Sequence, residues 1–491
     1  MRRSKHSLSH YVLSTFDMGQ LIPVGCYEVL PGDSIRMATS MLMRVTPMLA
    51  PPMHPVQVRL HHWFVPTRIL WDGWEDFITA GPDGDDASTP PVISVGTVES
   101  GSLLNYLGVP LATDSELTVS ALPLRAYNLI FNEFYRDQDL IDPVDDEQRE
   151  VLRVAWEKDY FTAARPWPQK GPEITLPIGT TAPVIPASTD PPEFLFTDTS
   201  PTDGPIRGAQ QTSGTSNLVH QPGTNVDGAP LRWSDPNLLA DLTSATAASV
   251  NDLRLAMALQ RYAEARAQYG SRYSEYLRYL GVRSSDARLQ RPEYLGGGRA
   301  TISFSEVLRT GNAGEDPQNE AVMANMYGHG ISAMRSRRWI RFFEEHGFVM
   351  TLCSVRPRSL YMQGLHRMWS RQTREDFWQK ELEQIGQQEV QLGEVYMNAA
   401  APADTFGFQD RYSEYRHLPS RINGEFATSS LNMWHFGREF ESEPVLNQSF
   451  VDCDPPRNPF AITAMNALWC MFSHSIQARR LVGNRTIGRI F

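Results

Sequence analysis

At 491 residues, 41% apolar and 10% aromatic, the chain carries enough apolar bulk to bury a core without metal or disulfide support, which excludes a disordered tail or a cysteine-stapled miniprotein. Its four cysteines, Cys26, Cys353, Cys453 and Cys470, lie far apart with no C-x-x-C pair, so isolated buried thiols are expected and zinc or disulfide frameworks are not. Net charge is -11 but segregated: Asp72 to Tyr160 holds 19 acidic against 5 basic residues and Ile331 to Lys380 holds 10 basic against 4 acidic, so different faces should meet different surroundings.

No acid precedes Asp17 and none follows Asp454. Residues 1–16 therefore read as a basic N-terminal arm carrying Arg2, Arg3 and Lys5, and residues 455–491 as a basic C-terminal segment carrying Arg479, Arg480, Arg485 and Arg489. The start, MRRSKHSLSHYVL, lacks the apolar stretch of a signal peptide, so secretory export is not expected.

From Ser34 to Thr46, Ile35, Met37, Met41, Met43 and Val45 alternate with polar residues, which predicts a strand with one buried face; Leu42 breaks the pattern. Val56, Val58, Leu60 and Phe64 repeat it, with Gln57, Arg59 and His61 on the other side and Pro66 as the stop. Beyond Pro66 the period changes: Leu70, Trp74 and Phe77 share the face of a short helix ended by Gly81 and Pro82. Tyr127, Ile130, Phe131, Phe134 and Tyr135 form a second helical stripe, with Pro123 near its start. Gly171 to Pro236 has 11 prolines and 7 glycines in 66 residues and two basic residues, so it is a disordered linker or a long surface excursion. A helix is predicted from Val250 to Tyr269, capped by Ser249 and Asp252, with Leu255, Leu259 and Tyr262 on one face and Gly270 as its stop. Tyr273, Tyr276, Leu277 and Leu280 indicate another before Gly281. GFVMTLCSVR, from Gly347, is apolar on both faces, as in a strand between two packed layers. AITAMNALWCMF, near the end, is too short and too interrupted to span a membrane and is read as core.

Enzyme signatures are missing: there is no G-x-x-x-x-G-K-[ST], H-E-x-x-H or G-x-S-x-G, and the Gly296 to Gly298 run is read as a loop. No cofactor or metal is expected. His6 and His10 have helical ligand spacing in an unsupported segment, His61 and His62 fall on opposite faces of a strand, and Asp83, Asp85 and Asp86 read as a solvated turn. Arg335, Arg337, Arg338, Arg341, Arg356, Arg358, Arg367, Arg371 and Arg374, interleaved with Trp339, Phe342, Trp369 and Trp378, suit a groove that neutralises phosphates and stacks bases without reading sequence. Subunit contacts explain the same composition equally well, because arginine and tryptophan are enriched there.

Six stretches in order carry a resemblance: HHWFVPTRILWDGWEDFITAG at His61, LPLRAYNLIFNEFYRDQ at Leu122, WEKDYFTAARPWPQKGPE at Trp156, DARLQRPEYLGGG at Asp286, GLHRMWSRQTREDFW at Gly364 and RYSEYRHLPSRINGEF at Arg411. Together, covering His61 to Phe426, they resemble the major capsid proteins of the Microviridae, and the gokushovirus group most. The ending GNRTIGRIF departs from the family pattern.

The resemblance implies an all-β core, an eight-stranded antiparallel viral jelly roll with large helical and loop insertions, as one domain over residues 1–491. It further implies self-assembly into a T=1 icosahedral virion shell around circular single-stranded DNA bound without sequence specificity. Other implied partners are a small basic DNA-packaging protein, further virion proteins and a bacterial surface receptor, a glycan among the candidates, with assembly in the host bacterial cytoplasm and no membrane insertion. Residues 171–236 become the candidate three-fold surface protrusion. Trp63, Trp71, Trp74 and Phe77 are the candidate inter-subunit contacts, since they exceed what one strand can bury. Arg2, Arg3, Lys5, Arg337, Arg338, Arg341, Arg485 and Arg489 are the candidate DNA-facing residues, and the acidic Asp72 to Tyr160 segment is expected outward or at contacts. Two rivals remain: a jelly-roll carbohydrate-binding protein, and a free single-stranded DNA-binding protein with steep salt dependence.

Overall fold

The two N-terminal alternating runs form long strands. In the computed structural model, residues 3–172, 250–270, 272–308 and 326–483 are described, with short stretches between 174 and 240. The strands that build the two large sheets of the main unit, residues 1–170 and 264–491, are β1 (Ser4–Ser7), β2 (His10–Phe16), β3 (Leu21–Val29), β4 (Ser34–Val45), β5 (Val56–Pro66), β6 (Glu293–Thr301), β7 (Ser303–Leu308), β8 (Met326–Arg335), β9 (Trp339–Phe342), β10 (Gly347–Pro357) and β11 (Leu468–Arg480).

Pairing among them is antiparallel throughout. In the first sheet β11 lies beside β4, and β1 and β2 sit end to end along the other edge of β11. β8 and β9 sit end to end along β4, and β7 closes the edge against β8. The second sheet runs β6, β5, β10, β3. The sheets face each other: Met41, Met43 and Val45 of β4 and Leu468, Cys470 and Phe472 of β11 share a core with Val56, Val58 and Leu60 of β5 and Cys353 and Val355 of β10. Each such side chain contributes about 1.5–3 kcal/mol when fully buried.

The second sheet is roofed on its far side as well. Trp63 and Val65 of β5 and Phe348, Met350 and Leu352 of β10 pack against Leu124, Tyr127, Ile130 and Phe131. This is why β10 is buried along almost its whole length, as its two-sided apolar run predicts. It also changes the expectation for β5. Gln57, Arg59 and His61 are half-buried: Arg59 pairs with Glu157, and His61 Nδ1 lies 2.6 Å from the Tyr135 hydroxyl. His62, on the opposite face, meets Thr351 Oγ1 at 2.9 Å. His6 and His10 lie in β1 and β2, so no helix brings them together.

Three other expectations are corrected. AITAMNALWCMF is only half core: Ile462 and Met465 are exposed, and from Leu468 every second side chain of β11 faces solvent. Gly296 to Gly298 lies within β6 rather than a loop, because the strand needs close approach there. A Cβ on Gly297 would overlap the Leu60 carbonyl, and one on Gly298 would sit 2.7 Å from Met334 Cε. The Leu70, Trp74, Phe77 stripe is not one helix; a 3-10 turn at Thr67–Ile69 precedes α1 (Trp74–Thr79), and Ala80 and Gly81, at φ 64° and 73°, end it.

Three further helices fall where the sequence predicts: α2 (Leu122–Ile130), continued by a π-helical turn at Phe131–Tyr135, α3 (Val250–Tyr269) and α4 (Tyr273–Tyr279); the short helices Leu103–Leu107, Leu392–Val395 and Gln448–Val451 carry no stripe long enough to announce them. Ser249, the expected cap, lies outside the described residues. A third cluster joins Tyr160, Phe161, Tyr361, Phe406 and Phe450. Cys353, Cys453 and Cys470 are buried free thiols and Cys26 is half-buried; burial pushes Cys26 and Cys453 up to about 12, far from the reactive thiolate.

Residues 171–263 form a separate unit. Its described parts are residues 250–263 of α3 and short strands: Val184–Pro186 pairs with Leu238–Ala240, and Glu193–Phe196 lies between Ile206–Arg207 and Leu231–Asp235. Most of the expected protrusion lies outside the described residues.

Candidate assembly and nucleic-acid surfaces

The aromatic stretch at His61 divides between interior and surface. Trp63 stacks on Phe134 at 4.1 Å and is 5% exposed, so its area is spent inside the subunit. Trp71, Trp74 and Phe77 instead form a knob, with both tryptophan rings within 6.0 Å of Phe77 and Trp74 also edge-on to His346. Phe77 and Ile78 are exposed at its tip. An alternating strand followed by three closely spaced aromatics announces such a knob, but which rings remain outside depends on α2, 60 residues away.

Of the candidate DNA-facing cations, Arg2, Arg485 and Arg489 lie outside the described residues. Arg3 donates to Ser34 Oγ at 2.9 Å and lies 5.1 Å above the Phe342 ring. Lys5 is exposed on β1, and Arg337 and Arg338 are exposed between β8 and β9. Arg341 is bidentate to Glu293 at 2.8 and 2.9 Å, so its charge is answered within the subunit.

The wider arginine run does not form one groove. Arg356 donates to the Ala155 carbonyl at 2.6 Å, Arg367 pairs with buried Glu394 at 3.2 Å, and Arg371 pairs with buried Glu414 at 3.2 Å while lying 4.1 Å over Tyr415. Burial raises the Glu394 carboxyl against the opposing pull of Arg367. These guanidiniums hold the fold. Trp339 is buried, whereas Trp369 and Trp378 stay exposed. Arg36 and Arg44 lie outside the arginine run, and their place on the exposed polar parity of β4 is the sequence signal that marks them.

A cleft of about 390 Å³ is lined by Tyr160, Tyr361, His366, Trp369, Glu414 and His417, with Trp369 70% exposed. Among the described residues no group of three or more His, Cys, Asp or Glu could hold a metal, and no helix is long and apolar enough to cross a membrane.

Residues 1–483 match the family described as capsid protein (F protein). The chain is 36% identical over 483 residues to capsid protein VP1 of Bdellovibrio phage phiMH2K, covering 92% of this chain and 88% of that protein. It is 32% identical over 541 residues to capsid protein VP1 of Chlamydia phage 1, covering 93% and 90%. With capsid protein VP1 of Spiroplasma virus 4 it shares 30% over 507 residues, covering 92% and 88%.

Proposed function

The chain belongs to the Microviridae capsid protein (F protein) family and is a major capsid protein, and on that premise we propose that its copies close into a small icosahedral shell around single-stranded DNA. The core is an eight-stranded jelly roll. Strand pairing supports this: of β2, β3, β4, β5, β6, β8, β10 and β11 in chain order, the first pairs with the eighth, the second with the seventh, the third with the sixth and the fourth with the fifth. That is one antiparallel ribbon rolled into two sheets.

The observation that carries the shell reading is the match to three capsid proteins over about nine-tenths of the chain. The Trp71, Trp74 and Phe77 knob supports it, since each subunit of a closed shell must offer apolar patches to neighbours. A subunit at -11 does not neutralise a genome alone, which supports a separate small basic packaging protein among the partners. Assembly takes place in the bacterial cytoplasm, and exposed loops, including a three-fold protrusion from residues 171–236, attach to the host surface. The subunit performs no catalysis.

Electron microscopy of the expressed chain, alone and with a small basic partner, tests the reading: uniform closed particles are expected, and a lasting monomer that binds glycans would favour the carbohydrate-binding alternative. Trp71→Ala and Trp74→Ala should each cut particle yield several-fold while soluble subunit persists, because a buried interface tryptophan is worth about 2 kcal/mol or more. Unchanged particle yield from both variants would remove the knob from the interface.

A further inference from the structure

Among the described residues, none covers one broad face of the sandwich. The second sheet is enclosed on both sides, but the outer face of the first is open, and its charge is unlike that of the rest of the chain. β1, β2, β4, β8, β9 and β11 contain seven lysines and arginines and no aspartate or glutamate, in a protein of net charge -11. The seventh strand, β7, has one acid, Glu306, on the opposite side of the strand from Ser305, whose hydroxyl meets His329 on the open face.

Register fixes which cations share the open face. Arg44 stands beside Trp469, Arg335 beside Ser40, Arg36 beside Gln477, and Arg479 beside both Ser34 and Lys5. All five cations are exposed, and none forms an ion pair among the described residues. The remaining cations of these strands, Arg341 and Arg480, are tied to Glu293 and Asp33. Between the basic rows runs an apolar one, Leu13, Met471 and Leu42, flanked by Tyr11, which is 71% exposed, and Trp469, which is 40% exposed. From Trp469 to Arg479 the face extends about 33 Å at ~3.3 Å per residue.

We infer that this open face of the first sheet is the surface on which the subunit holds its packaged single-stranded DNA. The inference rests on the shell reading and deepens it by naming the site. Unpaired cations neutralise phosphates, and exposed tyrosine and tryptophan rings give bases something to stack on without reading their order. A second copy of the same face would bring five cations against five cations, so the face cannot pair with itself. A polyanion with aromatic bases answers both its charge and its rings.

The test is a salt titration of the full-length unassembled subunit with labelled oligodeoxythymidylate, read by fluorescence anisotropy. For five cations the slope of log K against log salt should approach about -3.5, at ~0.7 per phosphate contact on a single strand. The variant Arg36→Gln/Arg44→Gln/Arg335→Gln should bind at least about tenfold more weakly, with a slope shallower by about 2. Arg36→Lys/Arg44→Lys/Arg335→Lys should restore the slope, which a fold defect would not allow. Particles of the glutamine variant should close but show a lower nucleic-acid absorbance ratio. An unchanged slope in the glutamine variant overturns the inference, and so does loss of closed particles with oligonucleotide binding intact, which would make the face a contact between copies. Failure of the unaltered chain to form particles at all would overturn the shell reading instead, leaving the binding comparison to judge the face.

Discussion

Replacing Arg438 by alanine should lower the stability of the unassembled subunit by about 3 kcal/mol or more, read as a shift of the urea midpoint. The guanidinium is buried and has no carboxylate partner among the described residues. It is held instead by rings: Phe450 at 4.2 Å, Trp156 at 5.1 Å, Phe440 at 5.2 Å and Tyr361 at 5.4 Å. One Nη donates to the Phe450 carbonyl at 2.7 Å and the other to the Tyr361 hydroxyl at 3.3 Å. Tyr361 in turn donates to Asp159 at 2.9 Å, so the positive head is answered by quadrupoles and one relayed carboxylate. A desolvated cation–π contact is worth ~2 kcal/mol and a hydrogen bond from a charged donor ~1.5–3 kcal/mol, while burying the charge subtracts from that sum. Alanine loses the contacts and leaves a void among the rings. Arg438→Lys keeps the charge but not the planar fork, and should lose about half as much. Midpoints for both variants within error of the parent would show that the cage contributes nothing.

This cage also shows where a single sequence stops being informative. Trp156, Tyr361, Arg438 and Phe450 are nearly 300 residues apart from first to last, and no period links them; only the folded connections bring them together. The strands of the sandwich are different, because burial on one face imposes a two-residue alternation that β4 and β5 carry openly. α3 begins and ends at the residues its stripe and Gly270 indicate. Leu42 looks like a break in the β4 pattern until the open face explains it: it lies beside Met471 on the uncovered side. The same parity hides the cationic face. Arg36, Arg44, Arg335 and Arg479 come from three strands separated by hundreds of residues, and of these only Arg335 belongs to the local arginine run after Ile331, in which Arg341, Arg367 and Arg371 are spent on Glu293, Glu394 and Glu414. From the sequence Trp63 is a candidate subunit contact because β5 alone cannot bury it; α2 and its π-helical turn, invisible from β5, supply the missing cover through Phe134.

Acid should loosen the subunit between about pH 6.5 and pH 4, before most carboxylates are protonated. His474 lies inside the first sheet, donating from Nε2 to the Val24 carbonyl at 2.8 Å, which leaves Nδ1 to accept from Thr39 at 3.0 Å. His62 sits between Thr351 Oγ1 and Ser336 Oγ on the second sheet. Burial, the largest cause for each, holds His474 down to about 4 and His62 down to about 3, with His10 disfavouring the charge on His474 and His474 that on His62. The folded state thus keeps both rings neutral at pH values where the unfolded chain, near 6.5, takes up protons. Below 6.5 the unfolded state binds more protons than the native one, so stability falls as pH falls and levels off only near the lowered native values. Each ring costs on the order of 3 kcal/mol across that window, at ~1.4 kcal/mol per unit. Asp137 acts in a separate window: burial pushes its carboxyl up, but Lys158 and Arg165 outweigh that and hold it below the ordinary value, so its contribution is lost only in stronger acid. Melting temperatures of the unassembled subunit at successive pH values should therefore fall first between 6.5 and 4, and His62→Gln, which retains a donor and an acceptor, should flatten that first decline. A parent curve that is level down to pH 4, or a variant curve as steep as the parent's, would remove the buried imidazoles as the acid-sensitive element.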